Sequence, residues 1–489
     1  MPKTDAEKAE VGDPTPPQIG DPRSPQVGDI ISEPAIWEML ESARQAGPEH
    51  ARALVARARD CKGLTPEETA VLLHQDRQPE ILADIMAAAR EVKEKIYGHR
   101  QVFFAPLYIS NYCANNCLYC AYRSENRELP RRRLSLSDIT DQVRSLEEQG
   151  HKRLLLVAGE ADPFENVLEA LRTIYATRTR QGEIRRVNVN IAPPTVGQFR
   201  ALKQVGIGTY QCFQETYHQE TYRRMHPSGP KADYAWRLTV MDRALQAGVD
   251  DVSTGVLLGL FDYRFDVTAL IVHGQYLERR YRVGPHAVSV PRLQVAHGTP
   301  LCDESGLEGH PHRLTDDQFK LVVAVLRLAL PYAGLILTTR EHPRLRDELL
   351  LAGVSQLSAG SHTEVGGYTG SERSAAGQFE IADIRSLDET VRSVLEAGQV
   401  PSFCTACYRC GRTGEHIMEL IKPGDIQAYC LPNALLTLKE YLLDYASPET
   451  RRLGEERLAQ WLGRLPQSSR EATETRLRRL EGGERDLFF

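Results

Sequence analysis

The segment Val102-Phe-Phe-Ala-Pro-Leu-Tyr-Ile-Ser110-Asn-Tyr-Cys113-Ala-Asn-Asn-Cys117-Leu-Tyr-Cys120 places three thiols at C-x3-C-x2-C spacing directly after an apolar run. The run, Val102 to Ser110, reads as a buried strand. A 4Fe-4S cluster is normally held by four thiolates, so three from one loop leave one iron open to a non-protein ligand. Zinc ribbons pair two C-x2-C knuckles and ferredoxin runs bring a fourth Cys, and neither pattern occurs here. A structural zinc loop or a chance cluster of buried thiols are the competing readings.

Onward from this strand, strand-like runs alternate with amphipathic helical runs. The expected strands are Val102 to Ser110, Arg153 to Gly159, Val187 to Ala192, Thr209 to Gln214, Val252 to Leu258, Ala287 to Leu293, Leu335 to Thr339 and Gln356 to Gly360. Between them lie helical patterns such as Leu136 to Gln149, Tyr234 to Ala247, Phe265 to Tyr281 and Asp316 to Leu330, long enough for parallel crossovers. Eight such units predict an α/β chain folded as a (β/α)8 TIM barrel over residues 100–398. In that fold chemistry sits at the carboxyl ends of the strands. The Cys loop, Glu160, Glu215 and Arg340 follow the first, second, fourth and seventh strands.

The flanks differ in character. Residues 1–32 repeat a Gly-Asp element between prolines (Val11-Gly-Asp-Pro, Ile19-Gly-Asp-Pro, Val27-Gly-Asp), which predicts a disordered tail. Residues 33–99 read as a helical N-terminal layer, with Ile81 to Ile96 its clearest helix. Residues 399–489 open with a second group of cysteines, Cys404-x2-Cys407 followed by Cys430, and continue as Leu-, Glu- and Arg-rich helix, best defined from Ala434 to Tyr445. This region reads as a separate module carrying an auxiliary iron-sulfur cluster with an open iron. A zinc knuckle completed by Cys410 is the alternative.

Composition excludes several classes. The 489 residues are 41% hydrophobic, enough to bury a large core. A net charge of −6 gives no general basic field for nucleic acid. Neither a secretory signal nor an apolar run of bilayer length is evident, so no membrane role is expected, and the ten cysteines fit a reducing, cytoplasmic setting.

The C-x3-C-x2-C loop resembles that of radical S-adenosylmethionine (SAM) enzymes, whose open iron chelates the amino and carboxylate groups of SAM. Gly159 and Glu160 then become candidates for orienting the methionyl amine, Glu215 for the ribose and Arg237 for the SAM carboxylate. Tyr119, inside the loop, joins them as a cofactor-binding residue. A solvated loop glutamate is the competing reading for Glu160, and a surface ion pair that for Glu215 and Arg237. Arg340, with the hydroxyl of Ser358 nearby in the pattern, suits the carboxylate of a free amino acid; an arginine that ties the barrel together is equally compatible with the spacing. His286, just before the sixth strand, is a metal-ligand candidate or a hydrogen-bonded structural residue.

From Val102 to Ala446 the chain resembles the HydG family of radical SAM tyrosine lyases, maturases of FeFe-hydrogenase. The resemblance rests on Asn111 to Cys120, Phe213-Gln-Glu-Thr-Tyr-His218, His226-Pro-Ser-Gly-Pro-Lys231, Gly255 to Tyr263, Ser289-Val-Pro-Arg292, Leu337-Thr-Thr-Arg-Glu341 and Cys404-Thr-Ala-Cys-Tyr-Arg409. It implies two 4Fe-4S clusters, SAM as cosubstrate, a reducing donor such as ferredoxin or flavodoxin, and other hydrogenase maturation proteins as partners. At the barrel cluster a 5′-deoxyadenosyl radical abstracts hydrogen from L-tyrosine, giving p-cresol and dehydroglycine. At the second cluster, held by Cys404, Cys407 and Cys430, dehydroglycine yields carbon monoxide and cyanide. His286 matches the residue that helps hold an additional iron bound there through cysteine, which leaves as a carbonyl-cyanide synthon for the H-cluster. Arg340 and Ser358 match residues that grip tyrosine. Two features depart from the family: Gly159-Glu-Ala-Asp-Pro163 replaces its Gly-Glu-His-Pro, and Cys410 adds a thiol. A 2-iminoacetate synthase of thiazole biosynthesis cleaves tyrosine in the same way but lacks the C-terminal module. A non-catalytic cluster scaffold is the rival from another class.

Overall fold

The structure is a computed structural model and describes residues 25–301, 306–370 and 376–489. Eight parallel strands close into a barrel: β1 (Arg100–Ser110), β2 (Arg153–Ala158), β3 (Arg186–Asn190), β4 (Tyr210–Gln211), β5 (Val252–Gly255), β6 (Ala287–Ser289), β7 (Gly334–Leu337) and β8 (Gln356–Ser358). Each begins within two residues of its expected start. β1 closes the ring by pairing with both β8 and β2. It is buried along nearly its whole length, as a parallel strand covered on both faces must be.

Strands β4 to β6 are shorter than their apolar runs. Glu215 takes φ +70°, which turns the chain out of the strand, and pairing resumes only as the isolated bridges Glu215↔Val256 and Leu258↔Arg292. The expected helix from Tyr234 to Ala247 breaks into Tyr234–Leu238 and Val240–Gln246. At the break Thr239 Oγ1 donates back to the Ala235 carbonyl (2.8 Å) and accepts from Arg243 (2.9 Å), a local bond that competes with the helical ladder. Barrel helices start where the sequence supplies a capping box, as at Ser135/Asp138, Thr195/Gln198, Thr315/Gln318 and Ser386/Glu389.

Residues 1–24 of the expected tail lie outside the described residues. Residues 27–30 form a helical turn, and Ile30 and Ile31 are buried in the core. A ninth strand that the sequence pattern did not reveal, β9 (Val400–Ser402), pairs in parallel with Arg100–Val102 at the lower end of β1. Three residues cannot show a period of two. The helices Gly414–Ile421, Gln427–Asp444, Pro448–Leu462 and Gln467–Glu481 follow it. The module is fixed to the barrel by an aromatic stack, Phe103–Phe403 (5.5 Å between centroids) and Phe403–Tyr441 (5.0 Å), and by the buried pair Arg185–Glu440 (2.5 Å). Replacing Phe403 by Ala removes the middle ring, and denaturant unfolding of the metal-free protein is expected to show a loss of about 3–5 kcal/mol.

Candidate active site at the two ends of the barrel

The upper end holds a cavity of about 170 Å³ lined by Cys113, Cys117, Cys120, Tyr119, Gly159, Glu160, Glu215, Arg237, Arg340 and Ser358 among others, so every residue expected at this end is brought together. The Cys loop lies directly against the end of β2. A Cβ on Gly159 would sit 2.2 Å from the Tyr112 carbonyl oxygen, which only glycine avoids. The loop is also bonded to the segment before Lys231, with Asn116 N–H donating to Ser228 O (3.1 Å) and Leu118 N–H to Met225 O (3.1 Å).

Charges alternate across this cavity. Glu160 Oε1 lies 3.1 Å from Arg237, and its Oε2 accepts from Asn115 (2.7 Å). Glu215 pairs with Lys231 at 2.6 Å and with Arg237 at 3.6 Å. Burial by itself would raise the Glu160 carboxyl, but Arg237 and Lys231 outweigh it and hold it below the usual range. Burial and Arg237 oppose the charge on Lys231, yet Glu215, Cys117 and Glu160 hold its ammonium above its ordinary value. Glu160, Lys231 and Arg237 are therefore charged at neutral pH. The left-handed backbone of Glu215 is a strained conformation retained at the mouth of the cavity. Tyr119 is fixed by a 2.8 Å bond between its hydroxyl and His226 Nε2.

Arg340 stacks on Phe379, with Cζ 3.3 Å from the ring centroid, and its guanidinium meets no carboxylate among the described residues. Burial lowers its basicity somewhat, but a guanidinium stays charged. Ser358 Oγ accepts the Thr339 N–H (3.1 Å), so its own proton remains free to donate. Arg292, by contrast, pairs with Glu341 and with Asp316 (2.9 Å) and holds the barrel wall. Lys231, Asn115 and His226 belong to this site and were not expected from spacing. Only their presence in the His226 to Lys231 and Asn111 to Cys120 segments could have signalled them.

The lower end holds a second cavity, about 60 Å³, lined by Cys404, Cys407, Cys430 and His286, the four metal-ligand candidates of the C-terminal half. Arg100, Arg153, Gln356 and Tyr408 complete its polar wall. Cys410 does not line it: this thiol is exposed, 3.9 Å from the Phe489 carbonyl oxygen. His286 Nδ1 lies 4.0 Å from Asp251 Oδ1, and burial keeps the imidazole neutral, the form that binds metals.

The donor sets fit clusters. Burial pushes the Cys117 thiol far above its ordinary value and that of Cys120 up to about 11, with neighbouring thiols adding to both. At the lower end burial pushes Cys404 up to about 12 and raises Cys430 against the pull of Arg100. Such thiols ionise only beside a metal.

The close fit at Gly159 is testable. Gly159→Ala should displace the Cys113 loop, and iron and sulfide counts after anaerobic reconstitution should fall by about one 4Fe-4S unit per chain.

Residues 107–267 match the Radical SAM superfamily model and residues 289–399 the Biotin and Thiamin Synthesis associated domain. The chain is 32% identical to the 2-iminoacetate synthase of Escherichia coli over 71% of its own length and 89% of that protein. The crystal structure of a HydG, described as a maturase of the FeFe-hydrogenase, superposes with a TM-score of 0.90 at 48% identity, covering 94% of this chain and all of that one. HydG from Carboxydothermus hydrogenoformans superposes at 0.79 and 40% identity, covering 93% of this chain and all of that one. The two HydG superpositions extend into the C-terminal module as well as the barrel, and by them the chain belongs to the HydG family of radical SAM maturases.

Proposed function

We propose that the chain cleaves the Cα–Cβ bond of L-tyrosine at the upper site and converts the two-carbon fragment to carbon monoxide and cyanide at the lower site. On this reading Cys113, Cys117 and Cys120 hold one 4Fe-4S cluster, and Cys404, Cys407 and Cys430 hold an auxiliary one, with His286 on an additional, cysteine-bound iron. The observation that carries it is the stacking of two three-thiol cavities on one barrel axis, with an unpaired arginine in the upper one.

When bound, the upper cluster and SAM supply an electron and a 5′-deoxyadenosyl radical. The protein's part is to place the reactants. Glu160 and Arg237, already paired with each other, exchange that bond for the ammonium and carboxylate of SAM, so charge is conserved as the ligand enters. Glu215 takes the ribose hydroxyls and Tyr119 packs beside the cofactor. Arg340 grips the tyrosine carboxylate in its fork and Ser358 donates a hydrogen bond to the same end. Phe379 on the Arg340 guanidinium and the buried walls of the barrel exclude water from the radical step.

The two cavities use adjacent layers of the barrel interior. Val102, Arg153, Gly334 and Gln356 face the lower one, and Phe104, Leu155, Ile336 and Ser358, two residues further along the same strands, face the upper one. A period of two keeps each pair on one face, about 7 Å apart. On this reading the dehydroglycine anion, HN=CH–COO⁻, passes between these adjacent layers to the auxiliary site, where it splits to CO, CN⁻ and water. The products leave with iron for the H-cluster of a FeFe-hydrogenase, in the company of other maturation proteins. Ferredoxin or flavodoxin supplies electrons in the cytoplasm. Among the described residues no helix is long and apolar enough to cross a membrane.

The likeness to 2-iminoacetate synthases favours one second reading, tyrosine cleavage alone. Anaerobic turnover with SAM, reductant and tyrosine decides: p-cresol with carbon monoxide supports the full reaction, p-cresol without carbon monoxide the shorter one, and neither product overturns both. Cys404→Ala should lower the iron count by about one 4Fe-4S unit and the ratio of carbon monoxide to p-cresol at least tenfold. Arg340→Lys replaces a fork by a point charge, and kcat/KM for tyrosine should fall about tenfold to a hundredfold.

A further inference from the structure

Five side-chain amides line the upper cavity: Asn115, Asn190, Gln211, Gln294 and Gln378. Three of them are spent within the protein. Asn115 donates to Glu160 (2.7 Å) and Gln294 to the Arg340 carbonyl (3.1 Å). Gln378 accepts from Tyr108 (3.0 Å) and turns its N–H group to Cys120 Sγ (3.6 Å). The side-chain amides of Asn190 and Gln211 make no hydrogen bond to any described residue. Gln211 is 5% exposed, and an amide so shielded from bulk water is costly until a polar partner meets it.

The two free amides stand as a pair. Val189 pairs with Tyr210, so the residues after them, Asn190 and Gln211, lie side by side as the last residues of β3 and β4. Tyr210 packs edge-on against Phe199 outside the barrel (4.7 Å between centroids), and the alternation of a strand turns Gln211 inward. Val157, the partner of Asn190 on β2, faces the cavity as well, and with Leu155 and Phe213 it makes the surrounding wall apolar.

The pair also lies opposite the carboxylate grip. Round the closed ring, β3 and β4 are four strands away from β7 and β8. Ser358 ends β8 and Arg340 follows β7. An amino acid held at its carboxylate by these two residues therefore points its side chain across the barrel, over apolar wall, toward Asn190 and Gln211. A phenol hydroxyl at the far end has one proton to donate and lone pairs to accept, and it is neutral at pH 7. Two neutral amides match it: one carbonyl oxygen accepts the O–H, and the other amide donates an N–H to the phenol oxygen.

We propose that Asn190 and Gln211 together bind the phenolic hydroxyl of L-tyrosine and thereby select it over phenylalanine. The inference rests on the reading of tyrosine as the substrate held at Arg340. Phenylalanine fills the same apolar space but leaves both amides unpaired, and a site built to hydrogen-bond a hydroxyl rejects the analogue that lacks it.

The test uses the reconstituted full-length protein with SAM and no reductant, so that binding is read without turnover. Equilibrium dialysis with radiolabelled amino acids gives Kd for L-tyrosine and L-phenylalanine, and Kd for SAM is measured in parallel. The variants are Asn190→Leu and Gln211→Met, near-isosteric changes that remove the hydrogen-bonding groups. The parent should bind tyrosine at least tenfold more tightly than phenylalanine. In each variant the ratio should fall about tenfold, through weaker tyrosine binding alone, with parental affinity for phenylalanine and SAM. Retained phenylalanine binding and a parental iron count show that a variant is folded and loaded.

A parental ratio in both variants overturns the proposal. So does a loss of SAM affinity with the ratio unchanged, which would make the two amides partners of the cofactor. A parent that binds SAM but neither amino acid removes the tyrosine reading itself, an outcome distinct from a tyrosine-binding parent whose selectivity ignores both amides.

Discussion

The length of one strand governs both ends of this molecule. β1 runs eleven residues, from Arg100 at the lower cavity to Ser110, three residues before Cys113 at the upper one. At about 3.3 Å per residue it spans roughly 33 Å. Its upper part pairs with β2, whose end carries Gly159 and Glu160; its lower part pairs with β9, which leads into Cys404. Both thiol sites are thus hung on one hydrogen-bonded element, and their separation is set by backbone geometry. The aromatic stack through Phe103, Phe403 and Tyr441 makes the attachment of the lower module rigid.

Buried charge divides the labour between the ends. At the top, Glu160, Arg237, Glu215 and Lys231 form a closed network of buried ion pairs. Such a network contributes more to orientation than to stability, because desolvation offsets much of the attraction. Arg340 and Arg153 are of another kind: each is buried in a cavity and meets no carboxylate among the described residues. In a radical SAM enzyme the protein positions and shields while the cofactors carry the electron chemistry.

Much of the barrel was legible in the sequence because long apolar runs and capping boxes are local signals. The eight strand starts were readable for that reason, as were helices such as Leu136–Glu148. What escaped was nonlocal or too short to have a period. β9 has three residues and exists because Arg100–Val102 has an unused edge beside it. The break at Thr239 depends on the Arg243 side chain one turn on. Asn115 looked like loop filler, yet it joins Glu160 to the Lys231 backbone across the cavity (2.7 and 2.8 Å).

The sequence by itself determined which groups are candidates for chemistry: two sets of three thiols, the acids after strands two and four, and Arg340. Those choices are properties of residue type and spacing, which tertiary contacts do not alter. Only the tertiary structure decided which of them meet. It gathered His286 to Cys404, Cys407 and Cys430 and left the adjacent Cys410 outside, because the turn after Arg409 points that thiol toward Phe489 and solvent. It paired Arg292 and, among the described residues, left Arg340 and Arg153 without carboxylates. Whether a charge is spent on the fold or kept for a ligand depends on what lies opposite it in space, and no spacing along the chain records that.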